Sequence, residues 1–180
     1  MGNFPLTGKN VPDYDEDMLQ TDPLNLKMFD GFSPAELEDL KKIIECVQFA
    51  AGSEILRQNQ RATNLYIVVS GDVEIFHKPD DAPYIPVGKL SAGGVFGWSS
   101  ILGRDVYSST VLALTDCSLY RMRAFELQRF CELHQETGVV LLEKIARSVA
   151  KQPAQIHDQI MEMIHLAMNC RDDQTNEEQR

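Results

Sequence analysis

The chain has 180 residues, of which 43% are hydrophobic and 24% are charged, and its formal net charge is −10. This length favours one domain with a substantial core, and no apolar run in the sequence is long enough to cross a bilayer. An acidic chain without a cluster of basic residues disfavours nucleic acid as a partner. The N-terminus has no apolar segment typical of a secretory signal, so we predict a cytoplasmic protein without a membrane segment.

The composition divides the chain into four predicted segments. They are an extended acidic N-terminal arm (1–28), a folded domain (29–150), an amphipathic C-terminal helix (151–170) and a polar tail (171–180). Four of the five residues from Asp13 to Asp17 are acidic, which is typical of a solvated, extended segment.

A helix is predicted within residues 32–47 by the signals at its start. Ser33 suits the N-cap, Pro34 suits the first turn, and Glu36 is placed to complete a capping box. The apolar residues that would share the buried face of this helix are Leu37, Leu40, Ile43 and Ile44. The folded domain is therefore predicted to open with an amphipathic helix.

Between Val47 and Met122 the pattern changes to short apolar or alternating runs separated by turn residues. The predicted strands lie within residues 53–57, 64–71, 72–78, 84–90, 109–115 and 117–122. Gly71 falls between two of these runs, where a tight hairpin turn needs a residue with positive φ. Many short strands at this spacing indicate an antiparallel barrel or jelly roll rather than a parallel sheet.

Helical periodicity returns after Met122. Two helices are predicted, within 123–134 and 137–152, and Pro153 interrupts the pattern. An apolar stripe follows at helical spacing and is formed by Ile156, Ile160, Met163, Ile164 and Met168. This stripe must be covered, either by a second copy in a homodimer or by folding back on the same subunit.

The ordered set of segments resembles the cyclic nucleotide-binding domain family. The resemblance rests on "MFDGFSPAELEDL", "FAAGSEILRQN", "NLYIVVSGDVEIF", "LSAGGVFGWSSILG" and "STVLALTDCSLYRMRAFELQRFCELH", which together cover about residues 28–150. It implies an α+β, mainly β fold: an antiparallel eight-stranded β-roll (jelly roll) flanked by an N-terminal helix and C-terminal helices. It also implies a regulatory sensor domain of bacterial type, similar to that of the catabolite activator family.

The stretch 93–110, "GGVFGWSSILGRDVYSST", aligns without a gap on the phosphate-binding cassette of that family. In members that bind cyclic AMP or cyclic GMP, a Glu holds the ribose hydroxyl and an Arg pairs with the cyclic phosphate. The resemblance places Trp98 at the Glu position and Tyr107 at the Arg position. Hydrogen bonds to charged groups contribute about 1.5–3 kcal/mol each, so losing two would weaken binding roughly a hundred- to ten-thousand-fold.

Other features of the cassette can compensate in part. A helix predicted to start near Ser99 would direct backbone amides at an anion, and Arg104 is a candidate to reach back towards the phosphate position. Trp98 can stack on a flat ligand, fill the ribose space or pack against the roll, and the Tyr107 hydroxyl can meet a ligand or a neighbouring serine. The candidate ligand-binding residues are Phe96, Gly97, Trp98, Ser99, Ser100, Arg104, Tyr107, Ser108, Ser109 and Thr110.

Catalytic and metal chemistry find little support in the sequence. A cupin-type metal site needs several histidines inside the roll, whereas only His77 of the four lies there. G-x-S-x-G and P-loop motifs are absent, so we predict no enzymatic activity and no cofactor. The cysteines form no C-x-x-C pair, which predicts buried free thiols at Cys46, Cys117, Cys131 and Cys170.

Three functions remain open at this level. The first is a sensor for a cyclic nucleotide or another small anionic ligand, and the second is a ligand-free interaction scaffold or dimerisation protein. The third is a cyclic nucleotide receptor of low affinity. The residues after Pro153 are too few and too acidic for the DNA-binding domain that follows this fold in the catabolite activator family, so we expect a homodimer or a protein partner rather than DNA.

Overall fold

The computed structural model describes residues 24, 26–79 and 83–150. Most of the predicted arm, the amphipathic helix 151–170 with its apolar stripe, the polar tail and Cys170 lie outside the described residues. Leu24 falls within the predicted arm, but it is 7% exposed and packs in the core together with Phe29. The folded domain therefore includes residues before position 29.

Helix α1 (Pro34–Lys41) begins at the predicted cap. The Glu36 amide donates to Ser33 Oγ at 3.4 Å, and the Ser33 amide donates to Glu36 Oε2 at 2.8 Å, so both halves of the capping box form. The predicted extent of the helix was wrong, because α1 ends at Lys41 and a strand begins at Glu45. Ile43 and Ile44 still pack against the core, but from the connection rather than from the helix.

Eight antiparallel strands form the body of the described domain. They are β1 (Glu45–Phe49), β2 (Glu54–Leu56), β3 (Asn64–Ser70), β4 (Val73–His77), β5 (Ile85–Leu90), β6 (Val95–Phe96), β7 (Thr110–Ala113) and β8 (Cys117–Arg123). One four-stranded sheet has the order β1-β8-β3-β6 and the other the order β2-β7-β4-β5. The predicted eight-stranded β-roll is thus confirmed.

The two faces of the β1-β8-β3-β6 sheet contribute to two separate cores. Because side chains alternate along a strand, Leu119 of β8 points into the roll whereas its neighbour Tyr120 points to the opposite face. The inner cluster lies between the sheets and includes Tyr66, Phe96 and Tyr107. The outer cluster lies between this sheet and the helices. Its fully buried members include Leu40, Leu65, Ile67, Met122, Leu127, Leu141 and Ile145.

The hairpin between β3 and β4 turns at Gly71, as predicted. Its φ of +82° lies in the left-handed region, and a Cβ there would overlap the Asp116 carbonyl oxygen and lie 2.8 Å from Cys117 Sγ. Cys117 is buried and Cys131 half-buried, but Cys46 is exposed, so the prediction of buried thiols was wrong for Cys46. Cys46 lies on β1, where the alternation of the strand directs it away from the roll.

Two helices cover the outer face of the β1-β8-β3-β6 sheet, close to their predicted positions. They are α2 (Ala124–Leu133) and α3 (Gln135–Ala150). They approach closely at Gly138, where a Cβ would lie 2.8 Å from Cys131 Cα. Thr137 Oγ1 donates to Glu36 Oε1 at 2.7 Å and thereby joins α3 to α1. Among the described residues, no helix combines the length and the hydropathy that a membrane crossing requires.

Candidate functional site

The candidate cassette occupies the connection between β6 and β7. Phe96 ends β6 and stacks on Tyr66 with ring centroids 5.1 Å apart. Gly97 follows with φ +77°, and a Cβ at this position would lie 2.7 Å from the Asn64 carbonyl oxygen. The reversal after β6 therefore requires a glycine, both for its backbone angle and for its close approach to β3.

A 3-10 helix of three residues, Trp98–Ser100, follows Gly97. It begins one residue earlier than predicted, and its Ser100 amide already donates to the Gly97 carbonyl at 3.1 Å. The Ser100 hydroxyl donates to the same carbonyl at 2.8 Å. A single turn of this kind has little macrodipole. The contribution that a helix dipole would make to anion binding is therefore small in this segment.

Trp98 points away from the roll interior. Its indole is half-buried and packs against the outer cluster, on the helical side of the β1-β8-β3-β6 sheet. Ile101 packs on the same cluster. Because α3 contributes Leu141 and Ile145 to that cluster, Trp98 lies where the cassette meets the closing helices.

Tyr107 is buried, with 4% of its surface exposed, and its ring belongs to the inner cluster. Its hydroxyl accepts hydrogen bonds from the amides of Asn64 at 2.9 Å and Thr63 at 3.3 Å, and it donates to the Asn64 carbonyl at 3.0 Å. This geometry uses the donor and both acceptor positions of a phenol. The Tyr107 hydroxyl therefore bonds to the start of β3 and not to a neighbouring serine.

The other candidate residues differ widely in exposure. Thr110 is 3% exposed and its hydroxyl accepts from the Gln58 amide at 3.0 Å, and Ser99 is 4% exposed. Ser108 and Arg104 are exposed, and Ser109 is half-buried. Among the described residues, no group of three His, Cys, Asp or Glu side chains is arranged to hold a metal.

The second half of the cassette is bonded to a segment that sequence analysis did not single out. The Tyr107 amide donates to the Gln60 carbonyl and the Ala62 amide donates to the Asp105 carbonyl, each at 2.9 Å. Arg61 and Val106 form the β-bridge between these two bonds. Residues 60–64 are thus the structural partner of residues 105–107, more than forty positions away in the chain.

Sequence analysis also did not predict an ionic network that lies next to this segment. Arg121 donates to Glu45 Oε2 through Nε at 3.1 Å and through Nη2, and Arg123 Nη2 lies 3.6 Å from Glu45 Oε1. These hydrogen bonds from Arg121, followed by the charges of both arginines, hold the pKa of Glu45 below its ordinary value against the effect of burial. Burial raises the pKa of the neighbouring Tyr66 hydroxyl. The register of β1 on β8 creates the network, since Glu45 pairs directly with Arg121.

Comparison with known proteins agrees with the observed β-roll fold. Residues 46–134 match the family described as "Cyclic nucleotide-binding domain". The potassium channel AKT2 of Oryza sativa subsp. japonica is 31% identical over 109 residues, which are 61% of this chain and 12% of the channel. The chain thus spans about an eighth of the length of this relative.

Two solved structures share the fold. A cyclic nucleotide-binding domain from Methylobacillus flagellatus has a TM-score of 0.68 at 17% identity, covering 77% of this chain and 78% of that one. The second is a mutant regulatory subunit of a cAMP-independent protein kinase A from Trypanosoma brucei, bound to cAMP. It has a TM-score of 0.59 at 19% identity and covers 77% of this chain and 48% of the other.

Two antiparallel sheets closed by helices, with a glycine-bounded loop and a short helix between β6 and β7, define a β-roll domain. Residues 46–134 of this chain belong to the cyclic nucleotide-binding domain family.

Proposed function

We propose that this chain is a non-enzymatic regulatory module that does not bind cyclic AMP or cyclic GMP in the manner of its family. The observation that carries the proposal is the environment of Tyr107, which the sequence alignment places at the phosphate-binding Arg. Its ring is buried among apolar side chains, and its hydroxyl is fully engaged by Thr63 and Asn64. A cyclic phosphate at this position would meet neither a cation nor a free donor from residue 107.

The position of Trp98 supports the same proposal. The alignment places it at the family's ribose-binding Glu, yet its indole packs on the outer cluster rather than towards the roll. Neither residue therefore offers a charged group to a ribose phosphate. The loss of two charge-assisted contacts corresponds to roughly 3–6 kcal/mol of binding free energy.

The contact of Trp98 with the helical layer suggests how a state of the domain would be transmitted. The cassette, α1 and α3 share the outer cluster, and Ser148 of α3 donates to the Gly93 carbonyl at 3.0 Å, just before β6. A ligand that favours one arrangement of the cassette would therefore bias the position of α3. Regulation through α3 is the proposed output.

A homodimer through α3 is the proposed assembly. Val139, Leu142 and Ala146 are exposed and follow each other at spacings of three and four residues. In the sequence, beyond Pro153, Ile156, Ile160 and Met163 again follow each other at spacings of four and three residues. A 3.5-residue apolar repeat is typical of a helix that pairs with a second helix.

A ligand-free scaffold is the second candidate function, and a specific observation favours it. The inner cluster is closed by the rings of Tyr66, Phe96 and Tyr107, of which the first two are stacked. Both candidates predict weak binding of cyclic nucleotides. They differ in whether any small anion changes the environment of Trp98, the only tryptophan, which its fluorescence would report.

Calorimetric titration of the full chain with cyclic AMP and cyclic GMP tests the proposal. We expect no saturable binding at micromolar ligand, and micromolar affinity for either compound would contradict the proposal. The double variant Trp98→Glu, Tyr107→Arg, checked for folding by circular dichroism, is expected to bind more tightly than the wild type. The matched control Tyr107→Phe removes the hydroxyl without adding a cation and is expected to gain nothing.

A further inference from the structure

A cleft of about 490 Å³ opens at the end of the roll where β8 passes into α2. One wall is formed by residues 61–64, and the other by Arg121 and Arg123 together with Ala124 and Phe125. Three of the lining side chains are guanidinium groups, and no lining residue is acidic. In a chain with a net charge of −10, the cleft brings three cationic side chains together at the surface, and two of them are already in contact with Glu45.

The arginines of the cleft keep donors available to a ligand. Arg61 forms no ion pair within the described part of the chain. Arg123 is 59% exposed on its side chain, and its two ionic contacts are long, at 3.6 Å to Glu45 and 3.9 Å to Glu126. Arg121 is anchored by Glu45 and supplies fixed charge at the base. Each guanidinium carries five donors, so most of those on Arg61 and Arg123 remain uncommitted.

An aromatic ring lies at the edge of the same cleft. Phe125, in the first turn of α2, is 73% exposed, so its ring is accessible to a ligand. A flat ring beside guanidinium groups suits a ligand that combines an anionic group with a planar ring, since the ring can stack while the anion pairs with arginine. The volume accommodates a molecule of nucleotide size.

We propose that this cleft binds a phosphorylated small molecule, with its phosphates held by Arg61 and Arg123 and its planar ring resting on Phe125. The site is separate from the cassette and does not depend on whether the cassette binds a cyclic nucleotide. The two are nevertheless connected, because Asn64 lines the cleft and its backbone bonds to the Tyr107 hydroxyl. A phosphate ligand in the cleft would therefore stabilise the arrangement of residues 105–107.

Calorimetric titration of the full chain with pyrophosphate and with ADP, at low salt to limit screening, tests the site. We expect both probes to bind saturably at one site, with ADP the tighter. Arg61→Gln and Arg123→Gln should each weaken both probes about tenfold or more. Phe125→Ala should weaken ADP and leave pyrophosphate unchanged. All three side chains are exposed, so these variants are expected to fold.

Two matched controls separate the cleft from other sources of anion binding. Arg129→Gln removes an exposed charge of α2 outside the cleft lining, and Arg104→Gln removes the exposed charge of the cassette. Both should leave the affinities unchanged. The proposal would be overturned if neither probe binds saturably. It would also be overturned if Arg129→Gln weakens binding as much as the cleft variants do, or if only Arg104→Gln weakens it. If the chain binds cyclic AMP and Arg61→Gln does not change that binding, the proposed function is overturned, whereas the proposal for the cleft is not.

Discussion

The hydroxyl of Tyr107 bonds to both backbone polar groups of Asn64, accepting from the amide at 2.9 Å and donating to the carbonyl at 3.0 Å. On the β6 side, the pairing of β3 ends at Tyr66 with Phe96, and the Tyr107 side chain supplies hydrogen bonds beyond it, at the first residue of β3. The residue proposed to replace a ligand-binding arginine is thus a structural tie between the cassette and the roll.

Tyr107→Phe is expected to lower the free energy of unfolding by about 1–3 kcal/mol, because it removes the hydroxyl that bonds to the amide of Thr63 and to the amide and carbonyl of the half-buried Asn64. Urea denaturation followed by circular dichroism measures the change. Tyr84→Phe is the matched control, since Tyr84 is 44% exposed and its hydroxyl can remain in water. Equal stability of the two variants would show that the Tyr107 tie is not significant.

Gly97→Ala is expected to destabilise the domain more than Gly103→Ala. Both glycines have positive φ, +77° and +69°, which costs alanine about 1–2 kcal/mol. Only at Gly97 would the new Cβ meet the Asn64 carbonyl oxygen, whereas nothing lies within 4 Å at Gly103. The difference between the two variants in urea denaturation isolates this contact, and we expect roughly 1–3 kcal/mol. If the two variants lose the same free energy of unfolding, β3 can shift to accommodate the new Cβ at no cost.

Glu36 should make the free energy of unfolding depend on pH in the acidic range. Hydrogen bonds from Ser33, first from its hydroxyl and then from its amide, and one from Thr137 lower the pKa of the Glu36 carboxyl in the folded state. The stabilising effect is therefore present above the ordinary glutamate pKa of about 4.3 and is lost as the pH falls through the lower, folded value.

We expect the stability difference between wild type and Glu36→Gln to be largest near neutral pH and to narrow below about pH 4.3, as measured by urea denaturation across a pH series. Glu38→Gln, an exposed position on the same helix, controls for the loss of one negative charge. A difference for Glu36→Gln that does not change with pH would contradict the assignment.

Val139→Glu and Leu142→Glu are expected to dissociate the proposed homodimer, because both residues are exposed, by 57% and 38%, and lie on one face of α3. A glutamate at such a paired position would be buried without a partner. Val140→Glu, at a position 43% exposed but off this face, should leave the dimer intact. Sedimentation velocity at micromolar concentration distinguishes the outcomes, and a monomeric wild type would refute the dimer.

The elements that sequence analysis predicted correctly are those specified by local chemistry. Ser33 and Glu36 satisfy each other within one helical turn, and Gly71 adopts the positive φ that its hairpin requires. The end of α1 was mispredicted because Ile43 and Ile44 continue the helical apolar spacing. In the structure these residues connect α1 to β1, whose position depends on pairing with β8, more than seventy residues later.

In the candidate site, too, local sequence sets some properties and tertiary structure sets others. The sequence by itself determined where the cassette lies and which residue types occupy it, because the glycines and the length between β6 and β7 are local properties. Only the tertiary structure decided that Trp98 faces the helices, that Tyr107 bonds to Asn64, and that Arg61 and Arg123 share a cleft. These relationships join residues far apart in the chain, and strand register and packing set them, which no local pattern encodes.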